Sequence, residues 1–575
     1  MQYDLLIKGG TIYDGSGAPG FEGDVAVAGD RIVAVGKVRG NSRRTIDAKG
    51  MAVAPGFIDP HSHYDGQLFW DPLITSSSWH GVTTVLTGNC GVAFAPCKPE
   101  QREIFKYLFS RVEGVPATLL QKAVPWDWEN FGEFLDSVER RRPALNVACL
   151  MGQSAIRAYV MGEEAMTRRE ATRDEIERMK AAVRQGMRAG AAGLSASRFG
   201  LHVGDHGEPM PGKITSNAEM YELFDAVGES RRGLFEFATS HIASGDDPEK
   251  ERRQDWELVE AARRTGLVST WGGILQRYAE PGKWREWIEM NEKVWRSGLR
   301  VYPQAACQLG TPYVFSMERP ELVFDDLPHW KPIVFSSSLE ERKRMYRDPE
   351  IRKGLRYDVV EDPLPRYFHK RWDLMIVKQT ALAKNRGLEG KSIAQIAKET
   401  GKDVFDTFLD LSLEEDLKTV FSFKTINGEE NEVLEIMTYP HMLVSLADGG
   451  AHIEHVAITG YPSTLLGFWV RERKALSIER AINILTGLPA EALGIFDRGS
   501  LAEGKYADLV VFDPDRIATH PQEPINDLPG GGTRMIQRNE GVCLTVVNGT
   551  VVMDSGEHTG AFPGRVLRDL GKLAP

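Results

Sequence analysis

The feature that most constrains this chain is an alternation in its middle, where short apolar runs are each followed by a segment of helical period. Val82-Thr83-Thr84-Val85-Leu86 and Asn146-Val147-Ala148-Cys149-Leu150-Met151 have the composition of strands covered on both faces. Between Asp174 and Ala191, the residues Ile176, Met179, Val183 and Met187 recur at three- and four-residue spacing. That spacing predicts a helix stopping near Gly190 and leading into the strand-like Ala192-Gly193-Leu194-Ser195. Helices predicted from Trp256 to Arg264 and from Trp284 to Ser297 lead in the same way into Leu267-Val268-Ser269-Thr270 and Arg300-Val301-Tyr302-Pro303. Strand, helix and strand repeated over several hundred residues call for parallel strands with helical crossovers. The number of units suits a closed (β/α)8 barrel better than one doubly wound sheet, and on such a barrel chemistry sits at the C-terminal strand ends.

The two ends have another texture. Residues 3–8, the turn signal Gly9-Gly10, then 11–14, 24–27 and 31–36 read as short strands, and so do 507–512 and 543–549. The expected division is a discontinuous β-sandwich domain from residues 1–56 and 499–575, and a barrel over 57–498. Residues 308–436, interrupted by Pro312, Pro320, Pro328, Pro332 and Pro363, are expected to be an inserted subdomain or lid. Within them Glu340-Glu341-Arg342-Lys343-Arg344 reads as a solvated helix face. At 575 residues the chain is long enough for a large barrel plus a satellite domain. A net charge of -11 gives no electrostatic support to nucleic-acid binding. No apolar run reaches the ~18–20 residues that cross a bilayer, and the first residues lack a basic segment followed by an apolar one, so a cytoplasmic location is the default. Five scattered cysteines do not suggest a disulfide framework.

Chemistry concentrates at strand ends. Phe57-Ile58 completes a strand just before Asp59-Pro60-His61-Ser62-His63. Alternate residues of an extended segment point the same way, so His61 and His63 can converge on one metal ion, with Asp59 free to orient an imidazole. Cys90, in Thr87-Gly88-Asn89-Cys90-Gly91, follows the strand at 82–86; alone, such a cysteine is more often a core thiol. His241 follows the strand-like 234–240. Asp448 is delivered by the apolar run from Leu443 into Gly449-Gly450. A carboxylate there can bind an ion, take a proton from water and return it to a leaving amine, though an Asp-Gly turn is also a common helix cap.

Taken together these motifs resemble the amidohydrolase superfamily, and within it the N-acyl-D-amino-acid deacylase (D-aminoacylase) group, over nearly the whole length. The resemblance is carried by residues 4–15, by Ala54-Pro55-Gly56-Phe57-Ile58-Asp59-Pro60-His61-Ser62-His63, by Gly88-Asn89-Cys90-Gly91 and by Gly504-Lys505-Tyr506-Ala507-Asp508-Leu509-Val510. It implies a (β/α)8 barrel with a β-sandwich from both termini, zinc-activated water attacking an amide, and His61, His63, Cys90, His241 and Asp448 as ligands, with Asp448 also the proton shuttle. Cys90 in its Gly-Asn-Cys-Gly setting points away from hydantoinases, which use a carboxylated lysine. The chain departs from the group in three places. Val268-Ser269-Thr270-Trp271-Gly272-Gly273 stands where a further ligand histidine is expected, Gln153 stands at another histidine position, and no arginine lies between Asp448 and Arg471 to grip a substrate carboxylate. Arg198, His202 and His452 are therefore the substrate-binding candidates, and the zinc count, one or two ions per chain, stays open.

The expected function is hydrolysis of an N-acyl (D-)amino acid or related small-molecule amide. A cyclic amide or other carboxamide is the alternative, and a non-catalytic binding protein on the same fold is a third reading. A homo-oligomeric state is left open.

Overall fold

The structure is a computed structural model describing residues 2–167, 169–204, 207–239, 257–318, 320, 322–336, 338–568 and 570–571. Its centre is an eight-stranded parallel sheet in sequential order. The strands are β1 (Phe57–Asp59), β2 (Val82–Thr87), β3 (Asn146–Gly152), β4 (Gly193–Ser197), β5 (Leu234–Ala238), β6 (Val268–Gly272), β7 (Val301–Ala305) and β8 (Leu443–Val444). The first and last come together just beyond their C-terminal ends. Ser62 and Gly449 form a parallel bridge, the His63 amide donates to Gly449 O at 2.7 Å, and the Ser445 hydroxyl donates to Asp59 at 2.8 Å. The barrel therefore closes at the segment that carries both His63 and Asp448.

Crossover helices form where the period predicts them. Arg173–Ala189 starts at a capping box, in which Thr172 accepts the Glu175 amide and Glu175 returns to the Thr172 amide, and it stops at Gly190, held at φ 112°. Met179, Val183, Gly186 and Met187 make its buried stripe. Trp284–Arg296 also forms where expected, without a side-chain cap, and buries Trp284, Asn291 and Val294.

Side chains alternate across the barrel wall. Phe235 and Phe237 of β5 pack outward against Phe224 of the helix Asn217–Gly228, so Glu236 between them faces the interior. Register carries this alternation to the neighbours: Ser195 and Thr270 lie beside Glu236, and Trp271 lies beside Phe237. The lower interior is filled by Ile58, Leu86, Leu150, Leu234 and Leu493. Above that apolar plug the inward positions turn polar, which is where a reactive site can be built.

Both chain ends share one nine-stranded sheet, in which Leu509–Phe512 pairs antiparallel with Ala52–Pro55 and Val542–Val547 lies beyond it. The expected break at Gly9-Gly10 is not a turn. Gln2–Ile12 is one strand, with Gly9 at φ 71° and a register shift between Ile7 and Gly10, so the glycines make a bulge. Asp508 joins this sheet to the barrel: it accepts from Arg498 at 2.8 Å, from the Asn146 side chain at 2.9 Å and from the Asn548 amide at 2.6 Å. Between β7 and β8, a three-stranded sheet (Pro312–Ser316, Val420–Lys424, Met375–Gln379) and several helices enclose a separate apolar cluster around Phe324, Trp330, Phe408 and Phe421. The charged run lies on the helix Leu339–Arg347, but Lys343 is buried and pairs with Asp416, so that face is not wholly solvated.

Candidate active site

Pro60 ends β1, and the chain runs on so that His61 and His63 reach the barrel mouth together, their ring centres 5.3 Å apart and both 2% exposed. Both Nε2 atoms face Asp448, at 3.3 Å and 3.8 Å from its Oδ1. Cys90 Sγ lies 3.5 Å from His61 Nε2. The donor atoms of His61, His63 and Cys90 all lie within 4.8 Å of one another, the one such group of three among the described residues.

The surroundings fix each donor. Asp59 accepts the His61 amide at 3.1 Å as well as the Ser445 hydroxyl, so it orients the backbone of the histidine pair rather than an imidazole. Asp65 accepts the Thr87 hydroxyl and the Gly88 amide, and Asn89 donates to Ser62 O at 2.9 Å, which stitches the Cys90 loop to the histidine segment. Gly450, at φ 91°, lies so close that a Cβ there would stand 2.5 Å from His63 O. Cys90, Asp448 and His452 hold left-handed backbones at φ 57°, 41° and 49°, conformations that cost energy in non-glycine residues and gather at functional sites.

Two carboxylates that sequence reasoning does not single out complete the arrangement. Glu236 Oε2 accepts the Cys90 amide at 2.6 Å, and its Oε1 lies 3.9 Å from His61 Nδ1. Glu113, the last residue of α1 (Arg102–Glu113), places Oε2 3.3 Å from His63 Nδ1. The one available signal for Glu236 is a lone charge inside the apolar run 234–238. Glu113 gives none, being a helix-end glutamate among many.

Burial dominates the electrostatics. It pushes Glu236 up to about 8 and Asp59 up to about 7, and it raises Asp448 against the opposing pull of His61. Glu113 rises well above the carboxylate range through burial and the nearby Asp448, Asp65 and Glu236. The Cys90 thiol is pushed well up by burial and by Glu236, Glu113 and Asp448, while burial pulls His61 and His63 down. A divalent cation reverses this logic by stabilising a thiolate and carboxylates while requiring neutral imidazoles. Two imidazoles, a thiol and a carboxylate are a zinc-type donor set. The Nε2 atoms of both histidines turn to the Asp448 carboxylate, and Cys90 Sγ lies beside that of His61, so the donors converge on one point. The residues present fit a bound ion.

The site opens into a cavity of about 500 Å³. His202 and His452 line it, kept neutral by burial that lowers them to about 3 and about 4. Arg198 is not among the lining residues. Its guanidinium donates to Gly212 O and Thr215 O, both at 2.7 Å, and so holds a neighbouring segment. Arg111 is the one arginine or lysine of the lining among the described residues, paired with Asp325 at 2.7 Å. His241 lies outside the described residues. Trp271 points away from the interior and donates to Asn291 at 3.0 Å, while the inward positions of β6, Thr270 and Gly272, offer no nitrogen ligand. Gln153, buried, donates to Thr215 at 2.8 Å.

A model described as the amidohydrolase family matches residues 44–288 and 453–553. D-aminoacylase of Alcaligenes xylosoxydans xylosoxydans is 27% identical over 584 residues, covering 98% of this chain and 97% of its own. N-acyl-D-glutamate deacylase of the same organism is 27% identical over 587 residues, covering 99% and 98%. A solved D-aminoacylase, reported for its binuclear metal center with one-metal activation and second-metal attenuation, superposes with a TM-score of 0.66 at 26% identity, covering 98% of this chain and 100% of that one.

Proposed function

Because the chain belongs to the amidohydrolase family, we propose that it hydrolyses the amide bond of an N-acyl amino acid, the D-enantiomer by analogy with its full-length relatives. The observation that carries this reading is the convergence of His61, His63 and Cys90 with the Asp448 carboxylate at the barrel mouth. These four residues would hold one zinc ion. Such an ion supplies polarisation of the substrate carbonyl and a more acidic water. Asp448, open to the cavity with 31% of its side chain exposed, takes the proton of the attacking water. As the new C–O bond forms and the C–N bond breaks, it passes that proton to the leaving nitrogen, giving a carboxylate and an amine. His202 and His452, neutral and lining the cavity, offer hydrogen bonds to the substrate without adding charge. Arg111 is the cation placed to meet a substrate carboxylate.

Turnover of N-acetyl-D-amino acids, their L-forms, hydantoins and aryl amides by purified protein tests the reading, with metal content measured in parallel. N-acetyl-D-amino acids should be cleaved, and activity should vanish on chelation and in the His61→Ala, His63→Ala variant. Full activity of metal-free wild-type protein would sink it. The pairing of Arg111 with Asp325 and the lack of arginine between Asp448 and Arg471 favour the second reading, a cyclic or other carboxamide without a free carboxylate. Exclusive turnover of N-acetyl-D-amino acids rejects that alternative.

A further inference from the structure

We propose that Glu113 and Glu236 are positioning residues for the imidazole pair, Glu113 accepting the Nδ1–H of His63 and Glu236 that of His61. The inference rests on the metal reading above and goes beyond it, because it assigns the groups that decide which edge of each ring faces the ion.

Both Nε2 atoms turn toward Asp448, and that of His61 also toward Cys90. An imidazole that offers its Nε2 lone pair must carry its proton on Nδ1. In this site both Nδ1 atoms are buried and make no hydrogen bond among the described residues, and a carboxylate oxygen stands behind each ring, 3.3 Å from His63 Nδ1 and 3.9 Å from His61 Nδ1, with Gln304 also beside His61. Neither glutamate belongs to the cluster of donor atoms within 4.8 Å. They stand on the outer side of the rings, where a ligand histidine keeps its acceptor.

The fold holds each acceptor independently. Glu236 sits on the inward face of β5, with Oε2 tied to the Cys90 amide, so one carboxylate links the thiol loop to His61. Glu113 ends α1, where Gly114 at φ 59° turns the chain and the Glu113 carbonyl accepts the His452 amide. The long excursion between β2 and β3 is thereby anchored to the loop following Asp448.

Zinc affinity of the full chain, measured by competition with a chromophoric chelator, tests the assignment in wild type and in Glu113→Gln, Glu113→Leu, Glu236→Gln and Glu236→Leu. Glutamine keeps an acceptor and loses the charge, whereas leucine loses both. Affinity should fall ~10-fold in the glutamine variants and ~100-fold in the leucine variants. The cobalt-substituted proteins should keep the thiolate charge-transfer band of Cys90. If a leucine variant melts below the assay temperature, its glutamine counterpart decides. Wild-type affinity in the glutamine and leucine variants, in a wild-type protein that binds zinc, overturns this proposal and leaves the metal reading standing. A wild-type protein that binds no zinc overturns both.

Discussion

At Asp448 a left-handed backbone, two facing imidazoles and an open cavity meet in one side chain. Asparagine there keeps the shape and removes the base. Asp448→Asn should lower kcat by about 10²–10⁴-fold even when assayed with zinc saturating, and its zinc affinity, measured on the same preparation, should fall because one of the four donors has lost its charge. Arg111 has a different signature. If it meets the substrate carboxylate, Arg111→Met should raise KM for N-acetyl-D-amino acids by about 10–100-fold, the worth of one charge-assisted hydrogen bond, with kcat little changed in steady-state assays. Unchanged KM would assign Arg111 to its pairing with Asp325 alone. His61, His63, Cys90 and Asp448 are legible in the sequence because each is a ligand-type residue at the end of an apolar run, and the fold brings all four together. Glu113 is not legible, because its meaning comes from where a helix happens to end in space. For Arg198 the sequence setting says nothing about the carbonyls of Gly212 and Thr215 that engage it.

Strands and helices are legible where period and punctuation agree. The helix Arg173–Ala189 has a capping box, a stripe and a terminal glycine, and it forms within two residues of expectation. Gly9-Gly10 fails because a glycine pair serves a bulge as well as a turn, and only the pairing with Phe21–Ala28 distinguishes the two. The period of two also settles Trp271. Sharing a face with Phe237, it packs edge-on to Trp287 of the helix Trp284–Arg296 and has no access to the site. Trp271→Ala should therefore cost about 3–5 kcal/mol of stability, as for other buried tryptophans, and lower the thermal midpoint. Zinc affinity of the folded variant should not change, and a loss comparable to that of a ligand variant would contradict the outward placement.

The whole molecule is held at seams between segments distant in sequence. His80 lies at one: its Nδ1 meets the Ser463 hydroxyl at 2.7 Å and its Nε2 meets Gln537 O at 3.1 Å, so the ring is neutral with Nε2 as donor. Burial lowers it from 6.5 to about 4. An unfolded chain takes up this proton more readily than the folded one, so the contribution is full above pH 6.5 and is lost as pH falls toward about 4. His80→Gln should remove about 3 kcal/mol of that acid sensitivity, seen as a flatter dependence of the denaturation midpoint on pH between those limits. Among the described residues no helix is long and apolar enough to cross a membrane.

The sheet that joins Ala52–Pro55 to Leu509–Phe512 sets a timetable for synthesis. On the ribosome Ala52–Pro55 emerges with one hydrogen-bonding edge bare, and more than 450 further residues must be translated before its partner Leu509–Phe512 arrives. That sheet can be completed only once Leu509–Phe512 has been made, and until then the nascent protein displays an edge on which another strand could pair.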